Sequence, residues 1–308
     1  MTARTYSPFL MVLALATTAT AQSSVKAFTD FRLIGPAGET PLGTSVMVVR
    51  NGRVIAVGPA GRTNIPAGAE RISLRGKVVI PGLINSHGHV NTPDDLRTYA
   101  AYGVTTVVSL GGENEAVFAA RDAQDVATLD RARVFVSGPV LTPRTPDEAR
   151  TMVEGVANQK VDWVKIRVDD NLGTATKMAP GVYRAVIDEA HKRGLRVAAH
   201  IYYLADARSL LDAGVDFIAH SVRDQKVDDE FVSALKASNR CYTPTLMREV
   251  STWVYESTPD FFSDPLFIKH ANPAWVSSGR DPARQQATRT NASAQTYKAQ
   301  FPFAVMNL

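Results

Sequence analysis

The chain has 308 residues, 45% of them hydrophobic and 21% charged, with 20 Gly and 17 Pro dispersed along it, a composition that supports a globular protein with a sizeable core. The formal charge of +4 is spread over interspersed Lys, Arg, Asp and Glu, so no basic tract points to nucleic acid. Cys241 is the single cysteine, which excludes an internal disulfide and a cysteine-built zinc site.

The first residues, MTARTYSPFLMVLALATTATAQSSV, carry Arg4, an apolar stretch from Phe9 to Ala16 and small residues at Ala19 and Ala21. That pattern predicts a secretory signal over 1–21, cleaved near Ala21, and hence export, as a secreted or periplasmic protein. The apolar stretch is too short to span a bilayer, which takes about 20 residues. Residues 22–80 then read as short strands of a small β-sandwich-type domain. Within it, Asn51-Gly52 between two apolar runs predicts a tight hairpin, because both residues tolerate positive φ.

From 81 to 308 the texture is that of strands alternating with helices. The strand candidates are KVVIPGLINSHGH, GVTTVVSLGG, RVFVSGPVL, DWVKIRV, LRVAAHIYY, VDFIAHS and RCYTPTL. Amphipathic segments such as GVYRAVIDEAHKRG and ADARSLLDAG separate several of them and end near a glycine, as helix C-termini do. This alternation predicts parallel β-structure, either an α/β barrel or an open doubly wound sheet. No Gly-rich phosphate fingerprint follows the first strand, which disfavours a dinucleotide-binding sheet.

Period-two alternation sorts the side chains. It sets Trp163, Lys165 and Arg167 against Val164, Ile166 and Val168, and Ala198, His200 and Tyr202 against Val197, Ala199 and Ile201. In the next strand it sets Asp216, Ile218 and His220 against Val215, Phe217 and Ala219. Each of these strands thus offers a basic residue near its C-terminal end, where barrel enzymes build their sites. His87 and His89, two apart at the end of a strand, share a side and are able to grip one metal ion. Two such histidines also suit backbone hydrogen bonding, but His200 and His220 at equivalent strand ends favour the metal. Lys165 has no carboxylate on its strand face, and a buried unpaired ammonium is costly. Carbon dioxide captured on the neutral amine makes a carbamate able to bridge two ions, whereas a plain surface lysine would reach water with its head.

The ordered set VIPGLINSHGHV, VDWVKIRVDD, VAAHIYY and FIAHS, with VMVVRNGRVIAVGP before and CYTPTL after, resembles the amidohydrolase superfamily. The likeness is to its imidazolonepropionase-like branch, which includes Xaa-Pro dipeptidases with a carboxylated lysine. The resemblance implies a (β/α)8 TIM-like barrel binding one or two zinc-like divalent ions through His87, His89, Lys165, His200 and His220. It further implies hydrolysis of amide or peptide C–N bonds in a dipeptide-like or N-acyl amino-acid substrate, by water activated at the metal. Tyr202 is a candidate substrate contact, although an aromatic at a barrel rim is as often packing.

The family's strand-eight Asp, usually within Gly-Thr-Asp, has no counterpart after CYTPTL, and the sequence runs on through polar, helix-like ARQQATRTNASAQTYKAQ. The expectation is therefore an incomplete barrel of about seven strands, a C-terminally truncated chain, with unpaired edges that favour self-association. Asp169, Asp170, Asp216 and Asp224 lie on other strands or loops and do not replace that Asp. His191 and His270 read as solvated, and SGRDPARQQATR as a solvated face. Three alternatives remain open: an inactive remnant that folds and binds metal without turnover, a cyclic-amide hydrolase or deaminase of the same superfamily, and a metal-free solute-binding protein of the doubly wound type.

Overall fold

The computed structural model describes residues 25–35 and 42–308. The expected secretory signal, residues 1–21, lies outside the described residues. The chain divides into two compact units between Pro81 and Gly82.

The first unit is a mixed sheet of β1 (Val25–Leu33), β2 (Leu42–Arg50), β3 (Arg53–Pro59), β4 (Glu70–Ser73) and β5 (Val78–Val79). β1, β2 and β3 pair antiparallel, while β4 and β5 pair parallel with β1. The β2–β3 turn has Asn51 at φ 50° and Gly52 at φ 74°, the left-handed pair a two-residue hairpin needs. Ala27, Val46 and Val48 form its buried centre. Among the described residues this is one sheet rather than the two stacked layers of the expected sandwich.

The second unit alternates strands and helices. In chain order these are β6 (Leu83–Gly88), α1 (Pro93–Ala101), β7 (Val104–Ser109), α2 (Glu115–Asp122), β8 (Arg133–Phe135), β9 (Val140–Leu141), α3 (Pro146–Asn158) and β10 (Trp163–Arg167). Next come α4 (Pro180–Lys192), β11 (Arg196–His200), α5 (Leu204–Asp212), β12 (Phe217–Ala219), α6 (Asp229–Ser238) and β13 (Cys241–Thr243). The strands form two parallel sheets, β6-β7-β8 and β9-β10-β11-β12-β13. The amides of Asp162 and Trp163 donate to Val136 O at 2.8 and 3.2 Å, which joins the sheets just past β8. At the outer strands, Ser86 Oγ of β6 lies 3.2 Å from Thr243 Oγ1 of β13. No backbone pairing between β6 and β13 is found among the described residues, so the fold is mixed α/β with parallel sheets and no closed barrel.

Alternation decides where the core sits. Val164, Ile166, Val168, Val197, Ala199 and Ile201 pack against buried residues of the helices, among them Val153, Val186 and Leu210. The opposite face buries Trp163, Ala198, Phe217 and Ala219 together with Leu110. Full burial of one such aliphatic side chain contributes about 1.5–3 kcal/mol. The helix stops are legible too: Gly194 and Gly214, at φ 72° and 84°, follow α4 and α5.

After β13 the chain is helical: α7 (Leu246–Trp253), α8 (Pro265–His270), α9 (Pro273–Gly279), α10 (Pro282–Thr290) and α11 (Ala292–Met306). Three of these starts share one local code. Asp264, Asn272 and Asp281 each accept a backbone N–H two residues on, at 2.7–2.9 Å, and each precedes a proline at the first helical position. Such caps contribute about 1 kcal/mol each, and proline there sacrifices only an amide that has no helical partner.

Candidate functional site

The parallel strands deliver their C-terminal ends to one side, and the sequence-predicted basic residues arrive there together. His87 closes β6 with His89 just beyond it, Lys165 lies on β10, His200 ends β11, and His220 follows β12. The ring centroid of His87 is 4.5 Å from that of His220 and 5.6 Å from that of His89, while His200 and His220 are 4.1 Å apart. Lys165 Nζ lies 3.4 Å from His87 Nε2.

β12 departs from the predicted alternation. Phe217 pairs with Ala198 and Ala219 with His200, so Phe217 and Ala219 face inward with Trp163, and Ile218 packs on the helix side. This reverses the expected faces. His220 still joins the cluster because its backbone is left-handed, with φ 75°, and period-two reasoning lapses at such a residue. A non-glycine residue at positive φ is strained by roughly 1–3 kcal/mol, and strain of this kind gathers at functional sites.

Neighbouring groups fix three of the rings. His89 Nδ1 lies 3.1 Å from Gly111 O; a carbonyl only accepts, so Nδ1 carries the proton and Nε2 keeps its lone pair. His220 Nδ1 lies 2.7 Å from Thr245 Oγ1, and Thr245 is itself at φ 49°. Asp169 Oδ2 stands 2.9 Å from His200 Nε2. His87 Nδ1 is buried and has no hydrogen-bond partner among the described residues.

Burial sets the charge states. Desolvation, aided by Lys165, lowers the His87 pKa to about 2. Desolvation also lowers His200 to about 3, against the pull of Asp169, and holds His220 well below the usual histidine value. These three imidazoles are neutral at pH 7, the form that donates a lone pair to a metal. Lys165 is 2% exposed and makes no ion pair among the described residues. Burial, with Arg167 nearby, brings its ammonium down to about 7. Burial pulls the Asp169 carboxyl upward, but His200 and the Asn171 amide outweigh it and keep its pKa below the ordinary value.

The donor set therefore suits a divalent ion in identity and protonation. Among the described residues, however, no three His, Cys, Asp or Glu side chains stand in a complete ligating arrangement.

The other candidates fall elsewhere. Tyr202 is buried, with its ring near Arg223, Tyr203 and Tyr297 and its hydroxyl without a hydrogen-bond partner among the described residues. Asp170 accepts from Tyr203 Oη at 2.9 Å, and Asp224 from the Leu204 amide at 3.0 Å. Asp216 holds the Val197 amide, Arg240 and His191 Nε2, the last at 2.7 Å, so His191 is engaged rather than simply solvated. His270 packs edge-on to Tyr102. Cys241 is a free, exposed thiol.

Sequence reasoning missed Asp169 at His200, Thr245, and the Gly111 carbonyl. It also missed a buried pair behind the site: Arg223 and Glu249, each 1% exposed, meet at 2.9 Å.

No family model matches the chain. An uncharacterized protein of Mycobacterium bovis is 24% identical over 203 residues, covering 59% of this chain and 54% of that protein, so the chain spans about half the length of the curated relatives it matches first. The crystal structure of a candidate prolidase from Bifidobacterium longum superposes with a TM-score of 0.70 at 25% identity, over 92% of this chain and 70% of that one. A Xaa-Pro dipeptidase with methionine bound in its active site superposes at 0.64 and 19% identity, covering 92% and 84%. Backbone geometry outlasts sequence at such identities, and it agrees here with the ordered strand-end residues. By fold and by that order of strand-end residues, the chain is similar to structures of prolidases, Xaa-Pro dipeptidases and other amidohydrolases.

Proposed function

We propose that the chain is a metal-dependent hydrolase of amide or peptide C–N bonds, exported by its first 21 residues and built on a (β/α)8-type barrel of which seven strand positions are present, β8 and β9 being two pieces of one position. The observation that carries this reading is the convergence of four imidazoles with a buried, uncompensated lysine at the C-terminal ends of parallel strands. The likeness to a Xaa-Pro dipeptidase supports a small, dipeptide-like or N-acyl amino-acid substrate.

His87, His89, His200, His220 and Lys165 would hold the ion, zinc or a similar divalent metal. When bound, such an ion activates water for attack and polarises the scissile carbonyl. The protein's part is preparation. Burial keeps His87, His200 and His220 unprotonated, and contacts from Gly111, Thr245 and Asp169 orient three of the rings, as supporting contacts do in metal sites generally. The neutral Lys165 amine would form a bond from nitrogen to the carbon of CO2 and release one proton from that nitrogen, leaving an anionic carbamate in place of the amine. That converts a cation with no lone pair into a two-oxygen ligand and removes the electrostatic objection to a lysine among ligands. Asp169, held ionised with its Oδ2 2.9 Å from His200 Nε2, is a positioning residue, not a proton donor at neutral pH.

The test is element analysis of protein expressed with bicarbonate, alongside turnover of a dipeptide and N-acyl amino-acid panel. One to two zinc-like ions per chain and hydrolysis of at least one amide are expected; a folded chain that binds no ion removes the reading. A second reading, a scaffold that binds metal without turnover, is favoured by the lack of a Gly-Thr-Asp sequence after CYTPTL. Stoichiometric metal with no hydrolysis across the panel would select it.

A further inference from the structure

A cavity of about 590 Å³ opens beside the candidate centre, between α1 and the segment from Tyr255 to Val276. His89 forms part of its wall and is the one exposed imidazole of the four. The rest is largely aromatic: Tyr99, Tyr102, Phe261, Phe262, Phe267 and Trp275. The rings are set against one another. Phe262 and Phe267 stack at 5.6 Å, Phe261 meets Phe267 edge-on at 4.9 Å, and Tyr102 Oη donates to Phe267 O at 2.8 Å. Gly279 leaves the space Phe262 occupies, since a Cβ there would stand 2.7 Å from its ring. Trp275 is 66% exposed at the rim.

The charge pattern is equally selective. Among the described residues no Lys or Arg lines the cavity, and its two carboxylates are already engaged. Asp94 pairs with Arg97 at 2.7 Å, and Asp95 accepts the amides of Asn91 and Thr92 at 2.8 and 2.9 Å. Away from the His89 end, an anion entering would meet two carboxylates and no Lys or Arg in the lining, whereas an uncharged ring would find a preformed apolar cleft of ligand size.

We infer that this cavity is the subsite for an uncharged aromatic portion of the substrate, whose scissile bond would then lie at the His89 end. The inference rests on the hydrolase reading for the word substrate but not for its test. Equilibrium dialysis of the full chain with 1-naphthylacetamide should show saturable binding, with 1-naphthylacetate bound at least about tenfold more weakly. Thr98, exposed on α1 and lining the cavity, offers a blocking position: Thr98→Trp should weaken the amide about tenfold or more, and Trp275→Ala severalfold. Ala237→Trp, on the exposed side of α6, should bind as the parent does. Should Thr98→Trp fail to fold, the anion comparison and Trp275→Ala decide alone. Equal binding of amide and carboxylate, or no saturable binding of the amide, overturns the subsite. Amide hydrolysis without naphthyl binding removes the subsite only, while naphthyl binding without any hydrolysis removes the hydrolase reading and leaves the subsite standing.

Discussion

At Lys165 the balance between stability and chemistry is open to measurement. Its amine is buried 3.4 Å from His87 with no ion pair among the described residues, so Lys165→Met removes a poorly solvated group and keeps most of the volume. The expected outcome is an unchanged or higher unfolding free energy, by up to about 1–2 kcal/mol, together with loss of at least one bound ion per chain and a fall in turnover of about a hundredfold or more. A variant that keeps full metal content would contradict the carbamate. Thr245→Val tests the ring behind it: His220 Nδ1 loses its 2.7 Å partner, and metal affinity should drop about 10–100-fold, read by competition with a chelating dye. Gly111 is equally exacting. At φ 129° an added Cβ would stand 2.6 Å from Val140, so Gly111→Ala should move the carbonyl that steers His89 and lower metal affinity although all five proposed ligands remain.

Elements show where the sequence was readable. On β10 and β11 the alternation of polar and apolar residues separates helix-facing from inward-facing side chains, and the packing follows it. On β12 the same rule inverted the faces, because the only clue to orientation was His220, and its left-handed backbone breaks the period. The place of Asp169 beside His200 was not foreseen for a related reason: it lies two residues past the end of β10, where strand periodicity no longer says which way a side chain points. The aromatic cavity was illegible because it is assembled from α1 and short capped helices far along the chain, which share no common period. Those helices are anchored at a point worth testing. Asn307, following α11, donates to Val222 O and Gln225 O and accepts from the Val227 amide, all at 2.9 Å, and so clamps the segment just beyond His220. Asn307→Ala should destabilise the fold by about 1–3 kcal/mol, measured by urea titration. A change below about 0.5 kcal/mol would show that water replaces the clamp.

For the molecule as a whole, the buried titratable groups set the response to pH. His87, His200 and His220 have folded-state pKa values below the unfolded value of about 6.5. Their contribution is complete above that pH and is lost as the pH falls towards the folded values, because the unfolded chain takes up protons that the folded chain refuses. Lys165, lowered to about 7 from 10.5, acts with the same sign between those values. Metal-free protein should therefore melt progressively lower from pH 8 through 6.5 to 5, at roughly 1.4 kcal/mol per pH unit for each proton taken up. A flat profile would show that the imidazoles are solvated. The near-meeting of Ser86 and Thr243, 157 residues apart in the chain, bears on synthesis. On the ribosome β6 emerges long before its distant neighbour exists, and Leu83 and Ile84, still 51% and 67% exposed in the finished fold, stay open to unwanted partners throughout translation. Contacts of such sequence separation form slowly, so the yield of native protein should depend on chaperone supply and on growth temperature more than on any single residue of the centre.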